Sequence, residues 1–519
     1  MPFVKLALSI FLSVGILSLW DATPSLFRQK DEPFSASDSA VIDQQLARQH
    51  CSSCHRFPEP ALLDKKTWVT GVLPVMARRM GIRLPEHDTL PPLPADEARA
   101  ISALNVYPET PQLSRADWNR IVRYYEANAP VEPLPQKPVP PVTNQLPLFA
   151  VRELSVGDKQ VPQTTLLKFD PNTNQLYVGD AQHALYVLDA RFHLTNTWWI
   201  DTPATDIDFP KNAAPRLLTI GIFSPSDQKL GRLMTLEKSA KPGSVPVNIR
   251  ELPRPVQFAT GDLNADGRDD VVVCGFGNNA GKLIWYDGFQ PTKEQILKAV
   301  PGARRVEIAD FNRDKKPDIM VLMAQAREEV SIYYNQGNGR FREKTVLQFS
   351  PVFGSSYFEL ADFNKDGFRD ILLTNGDNWD YSAIRKNYHG VRIYLNDGKD
   401  NFREAWFYPL YGASKAIARD FDQDGDLDIA ATAFYTELPQ PEQSFVYLTN
   451  EGRLTFKPHS TPEGAHGKWL TLEAADFDHD GDVDIVLGSY FHTFGEMTQL
   501  LFKGVTSFPQ LLMLENKKK

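Results

Sequence analysis

Asp420-Phe-Asp-Gln-Asp-Gly-Asp-Leu-Asp428 sets acidic side chains at 420, 422, 424 and 428, with Gly425 directly after the third. The pattern Asp-x-[Asp/Asn]-x-Asp-x-x-x-Asp occurs four more times, as Asp262-Asn264-Asp266-Asp270, Asp310-Asn312-Asp314-Asp318, Asp362-Asn364-Asp366-Asp370 and Asp476-Asp478-Asp480-Asp484. The starts lie 48, 52, 58 and 56 residues apart. An apolar run follows each copy: Val271-Val-Val273, Ile319-Met-Val321, Ile371-Leu-Leu373, Ile429-Ala-Ala431 and Ile485-Val-Leu487. Oxygens at positions 1, 3 and 5 of a tight loop converge on one point. The carbonyl of position 7 and the carboxylate of position 9 complete a hard-oxygen shell of the kind calcium takes. Up to five Ca2+ ions are therefore expected. Gly267, Gly367, Gly425 and Gly481 occupy position 6, where the backbone must turn sharply. Lys315 stands there in the second copy, which predicts a strained or weaker loop. An EF-hand would need glutamate at position 12 and flanking helices. Position 12 is Val273, Val321, Leu373, Ala431 or Leu487, and strand-like residues follow at once.

A fixed period of this length marks an array of supersecondary units. Each unit reads as four short strands. One of them recurs as Val330–Asn335, Val391–Asn396, Phe445–Asn450 and, at the end, Leu511–Asn516. These repeats resemble the FG-GAP or VCBS family, whose copies form the blades of a β-propeller like the integrin α-subunit head. The resemblance covers residues 150 to 519. Two degenerate units precede the acidic ones, from about Thr164 to Pro203 and from near Asp206, the second with Leu217-Leu-Thr-Ile-Gly221. The expected fold is mainly β: a seven-bladed propeller over 149–519, with six or eight blades as the alternatives. The loops opposite the acidic ones are rich in aromatic and polar groups: Asp377-Asn-Trp-Asp-Tyr381 with Tyr388-His389, Tyr435-Thr-Glu437 and Tyr490-Phe-His492. Such platforms suit a carbohydrate or another polar organic ligand.

Upstream, Cys51-Ser-Ser-Cys54-His55 is C-x-x-C-H, the attachment pattern of a c-type haem. Thiols at i and i+3 lie one helical turn apart, so both can reach the vinyl groups of one porphyrin, and the next imidazole ligates the iron. A zinc site would need further soft ligands, and the only other cysteine is Cys274, in a strand pattern. A redox dithiol would sit in a βαβ pattern, which is absent. Helical periodicity spans Ser37–His50, about Thr67–Met80 and Ser114–Ala129, the last with Trp118, Ile121, Val122, Tyr124 and Tyr125. These flanks resemble the cytochrome c family, which implies a small all-α domain over 36–130 holding one covalent haem c. The implied sixth ligand is a methionine, Met76 or Met80, with Met76 favoured and His87 the weaker alternative.

Residues 131–148, with Pro133, Pro135, Pro138, Pro140, Pro141 and Pro147, read as a semi-rigid linker. At the amino end, Lys5 precedes an uncharged apolar run from Leu6 to Trp20. That length suits a signal sequence and is short for a span, so residues 1–22 read as an export signal or a membrane anchor. Either places the chain in the periplasm or cell envelope. Net charge is −9, and no basic stretch interleaved with aromatics argues for nucleic acid. The function expected is an electron-transfer cytochrome with a redox protein partner, the propeller serving as docking or ligand platform. The alternatives are a haem-linked oxidoreductase acting on a sugar or other polar substrate, and an adhesion or glycan-binding module.

Overall fold

The computed structural model describes residues 36–84, 93–157, 160–237, 246–377, 384–434 and 440–518. The apolar leader, His87, 378–381 and 435–437 lie outside the described residues. Among the described residues, no helix is long and apolar enough to cross a membrane.

Seven four-stranded antiparallel sheets form a closed ring, a seven-bladed β-propeller. Blades 1 to 6 span residues 164–199, 204–252, 255–298, 303–348, 355–409 and 413–459 in simple meander order. Blade 7 takes three strands from 469–516, and its fourth from far upstream. Phe149–Leu154 pairs antiparallel with Leu511–Asn516, from Phe149 opposite Asn516 to Leu154 opposite Leu511. The two degenerate units are blades 1 and 2. The amino-terminal closing strand was not anticipated from the sequence.

The apolar run after each acidic motif is the second strand of its blade, and Asp270–Gly275 is buried throughout. Both faces of each blade pack on neighbours, so these strands read as continuous apolar runs rather than alternating ones. Seven apolar clusters fill the seven blade–blade interfaces. One, between blades 5 and 6, joins Leu372 and Ile393 to Ala416 and Val446. The innermost strand of every blade slips register near its first residues, as between Ala303 and Arg305 or Ala413 and Lys415. Such an irregularity re-aims the side chains there, here at the ring axis.

Residues 36–128 are helical where regular. Among the described residues of this region, the longer helices are Ala36–Cys51, Leu73–Arg79, Ala95–Ala103 and Arg115–Asn128, with a short α-helical turn at Lys65–Thr67. Ala95–Ala103 was not foreseen. A π turn, Trp68–Val72, leads into the second helix. Pro74 has no N–H, and Leu73 N–H reaches back five residues to the Trp68 carbonyl. Ser114 caps the last helix, accepting from Asp117 N at 3.0 Å. Trp68, Leu73, Ala77, Trp118, Ile121 and Tyr125 form the buried core of these helices.

From Asp43 to Lys519 the chain is one compact unit. Arg56 donates to the Gln348 carbonyl at 2.8 Å, Arg79 to Asn279 Oδ1 at 2.7 Å, and Asp227 N to Glu97 Oε1 at 2.8 Å. Val352 and Ile384 join the helical cluster. These propeller residues end a fourth strand, as Gln348 does, or lie in loops after second or fourth strands, whereas the acidic loops join first to second strands. The helical residues from Asp43 onward therefore rest on the face opposite the acidic loops. The proline-rich segment runs along the propeller, Gln136 Nε2 donating to the His389 carbonyl at 2.8 Å and Thr143 bridging His459.

Candidate functional site

The acidic loops are prefolded by their own side chains. In the first, Asp266 N donates to Asp262 Oδ1 at 3.1 Å and Asn264 Oδ1 at 3.0 Å, and Gly267 N to Asp262 Oδ2 at 2.9 Å. The second, third and fourth loops repeat all three bonds. Position 6 is left-handed in every copy, at φ 82° for Gly267 and Gly367, 94° for Gly425, 98° for Gly481 and 68° for Lys315. Position 4 is left-handed as well, in Ala265, Arg313, Lys365, Gln423 and His479. The glycine pattern exposed the first turn, but five unlike side chains hid the second.

Asp420, Asp422 and Asp424 each bring an oxygen within 4.8 Å of the others, as do Asp476, Asp478 and Asp480. Either group could hold a metal ion. In the last loop Asp476 Oδ1 and both Asp482 oxygens are buried without a hydrogen-bond partner. Burial, with Asp480 beside it, pushes the Asp482 carboxyl up to about 6. A divalent cation supplies what these orphaned oxygens lack, so the donor set fits Ca2+. Position 9 is placed differently: Asp270, Asp318, Asp370, Asp428 and Asp484 are fully buried, outside both three-carboxylate groups. Asp484 accepts from Phe477 N at 3.2 Å and Asn516 N at 2.8 Å. Asn335, Asn396 and Asn450 make the second of these bonds in their own blades. Position 9 thus ties the loop to the third strand.

In the helical region Cys51 ends its helix half-buried, Cys54 is exposed, and both are free thiols. Burial raises the Cys51 thiol to about 11. His55 Nδ1 lies 3.0 Å from the Arg56 carbonyl. A carbonyl only accepts, so Nδ1 carries the proton and Nε2 keeps its lone pair for a metal. Burial lowers the His55 pKa, which favours that neutral form. Cys51, Met76 and Met80 all border the apolar cluster around Trp68 and Tyr125. Two thiols and a neutral imidazole within five residues, with two thioethers at the edge of the aromatic cluster, are a donor set that fits haem c.

A cavity of about 670 Å3 runs along the ring axis, lined by inner strands and by loops of the helix-bearing face. Lys168, Asp206, Arg305, Glu359, Lys415 and Glu473 alternate in sign around it. Burial lowers Lys415 to about 8 and raises Asp206. Its rim is aromatic: Tyr490 stacks on Phe223 at 4.9 Å and meets His492 at 5.1 Å. Lys468 Nζ sits 4.3 Å over the Phe434 ring and 2.8 Å from Glu496 Oε1. Burial works against the Glu496 charge, but hydrogen bonds from His492 and the Lys468 ammonium hold its carboxyl down at about 2. Of the aromatic loops singled out from the sequence, Asp377 and His492 line this cavity, and Tyr490 packs against the lining residues Phe223 and His492. His389 is fully buried, and Tyr388 turns to the Val352 carbonyl at 3.0 Å. Phe223, Phe434, Lys468 and Glu496 were missed, because no local pattern marks them.

The FG-GAP-like repeat family matches residues 262–321, 321–373 and 420–487. Among curated relatives, the chain is 26% identical to integrin alpha-3 of Cricetulus griseus over 171 residues, covering 31% of this chain and 16% of that one. Integrin alpha-5 of Xenopus laevis is 25% identical over 219 residues, covering 38% and 20%. The chain spans a fifth or less of the length of these relatives. Among solved structures, the Neurospora crassa Pan2 WD40 domain aligns at 10% identity and TM-score 0.42, covering 72% of this chain and 97% of that chain. Three stretches of the seven-bladed propeller thus match FG-GAP-like repeats, and part of the chain is similar in sequence to integrin α-subunits.

Proposed function

We propose that this chain is an exported ligand-binding module whose propeller offers its axial cavity and aromatic rim to a polar ligand or protein partner. The observation that carries this reading is the cavity itself, with aromatic rings, Glu496 and His492 gathered at one open end. The likeness to integrin α-subunits supports a binding or adhesion role. Up to five Ca2+ ions, held at positions 1, 3 and 5 of the acidic loops, stiffen the opposite face. Calorimetric titration with a panel of sugars, sugar acids and polyols tests the cavity. Binding that is lost in Phe434→Ala supports it, and binding unchanged there overturns it.

A second reading stands beside the first, carried by C-x-x-C-H and the tied His55 Nδ1. Residues 36–130 form a cytochrome c-like domain, linked through 131–148 to the propeller. Cys51 and Cys54 would tether one haem c, His55 Nε2 would ligate its iron, and Met76, or else Met80, would take the sixth position. When bound, this group supplies a one-electron iron couple. The cluster around Trp68 excludes water, and the Arg56 carbonyl fixes the imidazole tautomer. Electrons would pass to a redox protein partner, or come from a ligand in the cavity on the same face. Protein made in a host that matures c-type cytochromes should show a reduced-minus-oxidised haem spectrum. Loss of the thioether charge-transfer band in Met76→Ala supports Met76; its loss only in Met80→Ala moves the ligand. Absence of covalent haem sinks this reading and leaves the first intact.

A further inference from the structure

We propose that a second recess, between blades 4 and 5 on the acidic-loop face, binds a sulfate or phosphate group borne by a ligand. Its volume is about 460 Å3. Phe311, Tyr334 and Phe368 supply rings, and Arg313, Arg342, Lys344 and Lys399 supply four cations against one carboxylate, Asp400. The chain as a whole carries −9, so this recess opposes the prevailing charge. Among the described residues, none of the four cations forms an ion pair.

The recess is built rather than incidental. The Arg313 guanidinium lies 4.1 Å over the Phe368 ring and donates to the Gly367 carbonyl at 2.8 Å. Arg342 lies 4.7 Å over Tyr334, whose hydroxyl is held by buried Asp400 at 2.5 Å. Lys344 Nζ donates to the Lys399 carbonyl at 3.0 Å and the Asp400 carbonyl at 2.9 Å. These partners are neutral, so they fix Arg313, Arg342 and Lys344 in place without cancelling their charge, while Lys399 stands beside Asp397. A guanidinium stacked on a ring presents its N–H fork in one orientation, and that fork matches the paired oxygens of sulfate or phosphate. Ordering the cations before the ligand arrives lowers the entropy lost on binding. Asp400, the one acid present, is turned to Tyr334 and so repels an incoming anion less.

The test is calorimetric titration of the full chain with inorganic sulfate, inorganic phosphate, a sulfated dextran oligosaccharide and the same dextran unsulfated. The sulfated oligosaccharide should bind and the unsulfated one should not. Arg342→Glu with Lys399→Glu should weaken binding at least about tenfold. Both side chains are exposed, so the fold survives the change, and an unchanged melting temperature checks it. The charge-matched control, Lys229→Glu with Lys503→Glu, should bind as the parent does. Tighter binding of the oligosaccharide than of inorganic anions assigns the group to a glycan ester. Equal binding assigns it to a free oxyanion, and both outcomes support the recess. Failure of every anion to bind, or an equal loss in the control, overturns the proposal.

Discussion

Lys315 holds a left-handed backbone at φ 68°, where the four sister loops have glycine. A non-glycine residue in that region stores on the order of 1 kcal/mol. Lys315→Gly should therefore raise stability by roughly 0.5–1 kcal/mol in urea unfolding, any entropy loss of the freer chain included. Gly481→Ala should lower it by a similar ~1 kcal/mol. A Cβ on Gly481 meets nothing within 4 Å, so the penalty is conformational alone. A second residue-scale case is Glu328, which is 3% exposed and whose pKa is raised to about 8 by burial. A carboxyl whose folded pKa exceeds its unfolded value stabilises most below the unfolded value and loses that contribution as pH rises towards the folded one. Wild-type stability should thus fall between about pH 4.5 and pH 8 by up to about 5 kcal/mol relative to Glu328→Gln, measured by denaturant unfolding across pH. A flat difference across that window would contradict the assignment.

At the scale of the element, each acidic loop is a compact device with two attachments. Its amides bind the side-chain oxygens of positions 1 and 3, while position 9 holds the third strand. The carboxylates drawn together at Asp476, Asp478 and Asp480 repel one another unless a cation neutralises them. Chelation should lower the melting temperature by several degrees, and added Ca2+ should restore it, because a ligand bound only by the folded state stabilises it. An unchanged melting curve would remove calcium from the account. The loops, their period and the apolar second strands were legible in the sequence because each is local. A carboxylate ladder converges within nine residues, and a strand buried on both faces is apolar along its whole length. The left-handed fourth position was not legible, since Ala265, Arg313, Lys365, Gln423 and His479 share no side-chain chemistry. Their conformation follows from the hydrogen bonds around them.

Across the whole molecule, ring closure rests on Phe149–Leu154 completing the last blade. Removing residues before 156 would bare the edge of Leu511–Asn516 and open the shell around Phe149, Phe421 and Tyr447. Such a truncation should unfold at lower denaturant and with a smaller m-value than the full chain, because the frayed blade exposes surface beforehand. The seven-blade count was readable, because five strong repeats and two weak ones recur along the chain. The cavity rim was not, since Phe223, Phe434 and Tyr490 stand in three blades and meet only when the ring closes. The basic recess escaped for the same reason: its cations come from separate stretches of the chain, none of them basic by itself. The sequence alone determined the repeat, the metal-type loops and the C-x-x-C-H donors, all of which act over a few neighbouring residues. Tertiary structure decided which face carries the helices, which aromatic groups meet at the cavity and which charges stand unpaired. Those depend on burial and distance between residues remote along the chain, and local spacing does not encode them.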